Sequence, residues 1–420
     1  MKRTVMLRLL PDEGVKARLK ILCDISSKVW KEINYAMRRQ FFETKKVDLK
    51  QTYKEFYERY KKLIGSATTQ QVLSKNDEAW RSLFSSLKAR KEGRLPPFIT
   101  RVNPPGYMKR GRIRVLWAVL RKDQYRIGGG YIVIKGLGAI GSIRVRYSGK
   151  IHIAGRQSKA EIHYDLNDKK WYILYISYEV EEKVIKNNSF RISLKPLGDR
   201  ETCIDIGINN LLAIYVEDRS ALLVNGRPLK SVSFYWRNKT SEYQSMLNRY
   251  GLKSSKRLRG MFKRWEKQVK YYIDWAVRNS IEWLYQRGVK RVIVGYPKYV
   301  SQGPGKGSKV NFEIVHICSN GYLLRKLKEV AEEYGVVVEY VDEDHTSRTC
   351  PICRAIENHE RIARGLFKCY KHNKVFNADL VGACSILSKR KSITPSPALC
   401  RIGVTCLRLG VTLNRGKPGM

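Results

Sequence analysis

The chain has 420 residues, 43% of them hydrophobic, enough for two or three domains with cores of their own. Lysine and arginine number 82 against 38 acidic residues, and a formal charge of +44 repels itself unless a polyanion neutralises it; nucleic acid is the polyanion expected. No run of 18 apolar residues and no signal-peptide pattern at "MKRTVMLRLLPDEG" is present, which argues against a membrane partner, and nine scattered cysteines do not make a disulfide framework; a soluble, cytoplasmic protein is expected.

Residues 3 to 10, "RTVMLRLL", predict one strand, broken at Pro11 to Gly14. From Val15 the apolar residues Leu19, Leu22, Ile25, Val29, Ile33 and Ala36 recur at helical spacing, and Ala79, Trp80, Leu83, Phe84 and Leu87 make a second helical face. Residues 12–94 therefore read as a helical insert. "RLPPFITRVNPPGYMKR" carries four prolines that no helix interior or central strand accepts, so it is a boundary. Beyond it, Arg112 to Tyr178 alternates in Val, Ile, Tyr and Gly, with a hairpin turning at Asn167 to Lys170. These strands, together with the first one, predict a discontinuous β-barrel over 1–11 and 95–190.

"TCIDIGINNLLAIYVED" predicts strand, tight turn and strand, and "SALLVNGRPLK" a further strand and turn. A basic helical stretch follows from about Phe234 to Gln286, in which Trp236, Trp265, Tyr271, Tyr272 and Trp275 interleave with cations. Either this is a solvated helix pair, or its aromatics pack inward while its cations face phosphates. Then come the strand "RVIVG", the helix "NGYLLRKLKEVAEEYG", the strand "VVVEYVD" and a cysteine-bearing segment. The tail from residue 391 has no usable period and is expected to be disordered.

In that segment Cys350 and Cys353 stand two residues apart, and fifteen residues later Cys369 and His372 repeat the spacing. Two ligands from each of two turns suit one tetrahedral zinc, and a closed site of this kind is structural rather than catalytic. His359 competes with His372 for the fourth position. Asp205, flanked by Ile204 and Ile206, is expected inside a hydrophobic strand, where a carboxylate needs a partner or a cation. A second acid, Asp379, opens the apolar helix "ADLVGACSIL"; it either caps that helix or joins Asp205. Strand, Asp, turn, strand and a later Asp entering a helix is the order by which a ribonuclease-H-like α/β fold gathers carboxylates around magnesium. Two such ions activate water and stabilise the leaving oxygen of a phosphodiester.

The succession "CIDIGINN", "HTSRTCPIC", "FKCYKH" and "FNADLVGACSIL", with "VWKEINYAMR" and "DEAWRSLF" before a "PPF" break, resembles the TnpB family of transposon-encoded RuvC nucleases, ancestors of the type V CRISPR effectors. The resemblance covers nearly the whole chain. It implies a multidomain α+β protein: a wedge-like barrel, a helical recognition region at 12–94, a RuvC-like domain at 198–390 with a zinc-binding insert at 346–376, and a basic tail at 391–420. It implies an RNA-guided DNA endonuclease that binds a guide RNA, target double-stranded DNA and its displaced strand in a prokaryotic cytoplasm, on the nucleoid when bound. Base pairing reads sequence there and the protein reads a short flanking motif. Its cofactors would be two catalytic Mg2+ ions and one structural zinc.

One departure is costly. The family carries a glutamate at the end of the strand that here reads "VIVGYPKYV", so Gly295 stands where a metal ligand belongs. Glu313, eighteen residues on, is expected to take its place beside Asp205 and Asp379, with Asn311 and His316 as neighbours; a role at its helix N-terminus is the alternative. Asp342 ranks next, with Glu343 and Asp344 beside it, then Asp274 and Glu282. A nuclease-dead, RNA-guided repressor is the alternative that Gly295 favours, and a ribonuclease-H-like transposase is a further one.

Overall fold

The computed structural model describes residues 2–94, 101–107, 109–110, 113–151, 153–165, 170–185, 188–191, 195–296, 312–313, 320–342, 350, 352, 359–363, 365–388 and 404–407. Cys353, Asn311, His316, Glu343 and Asp344, named above, lie outside these residues. The chain divides into two units, Met1–Arg191 and Ile192–Met420.

In the first unit, β1 (Lys2–Leu10) buries Val5, Leu7 and Leu9 and exposes Thr4, Met6, Arg8 and Leu10, the period-two pattern of a strand with one face on a core. Three helices follow: α1 (Glu13–Thr44), α2 (Leu49–Ile64) and α3 (Ser66–Lys91). Asp12 caps α1 by accepting from Val15 N at 2.8 Å, and Asp48 caps α2 from Gln51 N at 3.0 Å. Only a glycine serves at the α2–α3 junction. Gly65 has φ +84°, and a Cβ there would strike the carbonyl of Gly136.

The remaining strands of this unit are β2 (Lys109–Arg110), β3 (Ile113–Arg114), β4 (Trp117–Leu120), β5 (Tyr125–Gly128), β6 (Tyr131–Ile134), β7 (Ile143–Ser148), β8 (Ile153–Asp165), β9 (Lys170–Ile185) and β10 (Asn188–Arg191). They form a sheet in the order β4-β8-β9-β1-β7-β6-β5, with β10 on β9 and β2–β3 a separate hairpin. The first strand thus joins strands more than a hundred residues away. Among the described residues the edges β4 and β5 do not pair, so the expected barrel is a half-barrel. The long hairpin β8–β9 starts at the Asp165–Lys170 pair, where the turn was expected.

In the second unit, β11 (Arg200–Asp205), β12 (Asn210–Val216), β13 (Ala221–Asn225), β14 (Val289–Tyr296), β15 (Val337–Asp342) and β19 (Thr405–Leu407) form one sheet in the order β15-β14-β11-β12-β13-β19. Helices α4 (Arg227–Arg249), α5 (Lys256–Gln286), α6 (Asn320–Glu333) and α7 (Ala378–Ser388) accompany it, and β16 (His359–Ala363), β17 (Leu366–Cys369) and β18 (Lys374–Asn377) make a small antiparallel sheet. Covered on both faces, the central strands are apolar throughout rather than alternating. Ile204, Leu212, Ile214 and Val294 pack with α4, α5 and α6, whereas Cys203, Ala213, Tyr215 and Ile293 pack with α7 and the small sheet.

Two expectations are corrected here, on "GRPLK" and on the tail, and the two readings of the basic stretch each hold in part. "GRPLK" is not strand and turn: Gly226 precedes α4, which begins at Arg227 with Pro228 in its first turn, a position that needs no N–H donor. The basic stretch is two helices, broken around Gly251 (φ +68°); Tyr272 is buried and Trp265 and Trp275 pack on the core, while Tyr271 stays 66% exposed. The tail is not all disordered: Thr405–Leu407 pairs in parallel with Leu222–Val224 on the sheet edge, satisfying backbone groups that no hydrophobic period announces.

Candidate active site and metal knuckle

Strand β11 ends at Asp205, which is half-buried at the strand end rather than inside the strand as expected. By the sheet's alternation Asp205 shares the face of Cys203, which packs with α7. The fit is close: a Cβ placed on Gly382 of α7 would lie 2.6 Å from Asp205 Oδ2. Glycine in a helix interior costs about 1 kcal/mol relative to alanine, and here it makes room for a carboxylate.

Asp379 lies three residues before Gly382 on the same helical face, so both acids border one turn of α7. The residue that caps α7 is Asn377, not Asp379: its Oδ1 accepts from Asp379 N and Leu380 N, each at 3.1 Å. That frees the Asp379 side chain for another task. Its Oδ2 accepts from Asn210 Nδ2 at 2.7 Å, across 169 residues of chain. Asn210 opens β12, Gly207 N donates to Leu211 O at 3.4 Å, and Gly226 N donates to Asn209 O at 2.8 Å, fixing the loop between the two strands.

Gly295 is buried on β14. Ile204 pairs with Val294, so Asp205 and Gly295 are the next residues of adjacent parallel strands. A side chain at 295 would point toward the Asp205 face, and glycine offers none. Val341 pairs with Gly295 and packs on the α7 side, and Asp342 pairs with Tyr296.

Glu313 is held by α4. It is 2% exposed and pairs with Lys230 Nζ at 2.6 Å, in the first turns of α4. Its neighbour Phe312 packs on Phe234 and Trp265, with ring centroids at 5.1 and 5.9 Å, and lies under the Arg237 guanidinium. The structure brings Asp205 and Asp379 to one helix turn and holds Glu313 at α4. Among the described residues no three His, Cys, Asp or Glu side chains stand together to hold a metal. Asp274 and Glu282 are engaged apart from this site, by Tyr322 and Tyr334 hydroxyls at 2.8 and 2.9 Å.

The knuckle has its own geometry. Cys350 and Cys369 are buried, Ile352 N donates to Cys350 Sγ at 3.4 Å, and Cys369 Sγ lies 3.3 Å from His372 Nδ1. Two ligands of one tetrahedral zinc, at about 2.3 Å for sulfur and about 2.0 Å for nitrogen, lie about 3.5 Å apart, so Cys369 and His372 fit. His359 is the backbone partner of Cys369 on β16.

Sequence reading missed Asn210, Asn377, Gly382 and Lys230. The asparagine before "AD" was a capping signal, and the glycine three residues after Asp379 a sign of close approach; nothing local announced the other two.

Two family models match the chain: OrfB_IS605, probable transposase, over residues 175–301, and the Cas12f1-like TNB domain over 321–386. TnpB-like protein ORF457 of Acidianus two-tailed virus is 32% identical over 412 residues, covering 92% of this chain and 86% of its own. The chain belongs to the TnpB family. Among solved structures, the Cas12f1 chain of a cryo-EM Cas12f1-sgRNA-target DNA complex matches with a TM-score of 0.59 at 14% identity, over 89% of this chain and 82% of that one. The TnpB-like chain thus shares the mixed α+β fold of that effector, in both of its units.

Proposed function

We propose that this TnpB-like protein is an RNA-guided DNA endonuclease associated with a transposable element, cutting next to a short flanking motif at a RuvC-like site built on Asp205 and Asp379. The observation that carries the reading is the convergence of the two acids on one turn of α7, with Gly382 leaving room for one and Asn210 orienting the other. Two half-buried carboxylates brought this close favour a cation between them.

Hard oxygen donors at the end of a parallel strand suit magnesium. Bound there, a pair of ions supplies water activation and stabilisation of the leaving oxygen of a phosphodiester. The chain's own residues orient: Asn210 holds Asp379 Oδ2, which leaves Oδ1 for ligation, and Gly382 sets the position of Asp205. Glu313 supplies the third carboxylate in place of position 295, after exchanging its ion pair with Lys230, whose ammonium a backbone phosphate can take up. Cys350, Cys353, Cys369 and His372 hold a structural zinc that fixes the small sheet ahead of α7.

The experiment expresses the chain with its native flanking DNA, sequences the RNA that copurifies, and challenges the complex with a plasmid library bearing the matching target beside randomised flanks. Cutting by wild type, lost in Glu313→Gln with target binding and melting temperature retained, supports the full reading. RNA and target binding with intact DNA under Mg2+ would establish instead the repressor that Gly295 favours.

A further inference from the structure

The segment Pro104–Tyr107 is fastened along one face of α1. Trp30 Nε1 donates to Gly106 O at 3.4 Å, Asn34 Nδ2 to Pro105 O and Gly106 O at 2.8 and 3.1 Å, and Arg38 Nη1 to Pro104 O and Pro105 O at 3.2 and 3.0 Å. Donors four residues apart on a helix meet a segment whose two prolines offer only acceptors. Asn34 is itself fixed by Trp80 Nε1 at 3.1 Å. The consequence is a rigidly placed Tyr107, with the Arg38 guanidinium 5.5 Å from its ring.

Tyr107 faces a cavity of about 530 Å3 that it shares with Tyr35 and Ala36 of α1 and Phe56 of α2, with Lys31 and Arg59 also lining it. Phe56 is buried, but Tyr35 is 56% exposed and Tyr107 36% exposed, so two ring faces are offered to solvent beside an apolar wall. Glu32, which also lines the cavity, is already engaged by the Tyr60 hydroxyl, Arg59 and Lys28, the last two at 3.8 Å. Arg59 also pairs with Glu55 at 2.8 Å, so a phosphate at the rim would share that guanidinium, with the Lys31 ammonium beside it.

Exposed aromatic faces with cations beside them are how single-stranded nucleic acid is held: rings take bases and cations take phosphates. We propose that this cavity receives one unpaired nucleobase, stacked on Tyr35 and Tyr107, with Lys31 and Arg59 at the flanking phosphates. The proposal rests on the nucleic-acid binding in the reading above and not on the cutting. RNA and DNA strands carry the same chemistry here, and the experiment separates them.

Full-length protein is irradiated with RNA or DNA single strands about 12 nucleotides long carrying one 5-iodouracil, and crosslinked residues are mapped by mass spectrometry. A crosslink at Tyr35 or Tyr107 is expected, and the strand that gives it names the source. In polarisation titrations, Tyr35→Ala with Tyr107→Ala weakens single-strand binding about tenfold or more at an unchanged salt slope, and Tyr35→Phe restores it. Lys31→Ala and Arg59→Ala instead reduce that slope by about 0.7 each. Single-strand binding equal to wild type in the double variant, with no crosslink at either tyrosine, overturns the proposal, as does a wild type that binds neither strand. A wild type that crosslinks at Tyr35 but never cuts sinks the nuclease and leaves the pocket; one that cuts without using the tyrosines does the reverse.

Discussion

At the scale of single residues, the candidate site depends on two residues that carry no charge, Asn210 and Gly382. Asn210 donates to Asp379 Oδ2 at 2.7 Å, and removing a hydrogen bond to a carboxylate of this kind costs about 1.5–3 kcal/mol when the group is buried. Asp379 is half-buried, so Asn210→Ala should lose stability at the low end of that range in urea denaturation, while its cutting rate falls more steeply because Oδ2 is no longer oriented. Gly382→Ala separates the two effects. Alanine favours the helix by about 1 kcal/mol, but its Cβ would stand 2.6 Å from Asp205 Oδ2, so Asp205 must move. Cutting should fall about a hundredfold, the usual cost of displacing a reacting group by about 1 Å, with target binding and the circular dichroism spectrum unchanged.

At the scale of elements, α3 is tied to the half-barrel by Glu161 of β8, which meets Lys75 at 2.9 Å, His163 at 3.1 Å and Trp117 Nε1 at 3.3 Å. The hydrogen bond with His163, then Lys75, then Trp117, hold its carboxyl down to about 2, below the unfolded value of about 4.3. A depressed carboxyl contributes stability that is complete above the unfolded value and is lost as pH falls through the folded one. Stability should therefore decline between about pH 4.5 and 2, and Glu161→Gln should flatten that part of the curve. The knuckle makes a second test at this scale. Metal analysis should find about one zinc per chain, and Cys369→Ser should lose it and expose the three-stranded sheet to protease. Zinc retained at wild-type level in Cys369→Ser would exclude the assigned ligand set.

At the scale of the whole molecule, the excess of 82 basic over 38 acidic residues is a statement about partners and not about fold. Nucleic-acid affinity should drop about a thousandfold or more between about 50 and 200 mM salt, as for proteins that displace several counterions. Much of the architecture was legible because it repeats locally: the alternation of β1, the helical faces of α1 and α3, and the apolar strands of the second unit. Asp205, Asp379 and the spacing of the knuckle cysteines stand out in the sequence as candidates, since an acid in an apolar run and a paired spacing are local anomalies. What the sequence hid depends on distant chain. Asn210 meets Asp379 across 169 residues, Lys230 meets Glu313 from another element, and Thr405–Leu407 takes its pairing from the edge of β13. The half-barrel was hidden for the same reason, because closure is decided by edge strands and not by the alternation inside each one.

The most direct measurement is a time course of target cutting under saturating Mg2+ by guide-loaded wild type beside Asp205→Asn and Asp379→Asn, with target binding measured on the same preparations. Wild type should cut, and each variant should bind as tightly while cutting about a thousandfold more slowly or not at all, since the proposal makes both carboxylates magnesium ligands and a neutral amide oxygen holds Mg2+ less strongly. Cutting at the wild-type rate by either variant, or binding without cutting by wild type, would contradict the assignment of the site.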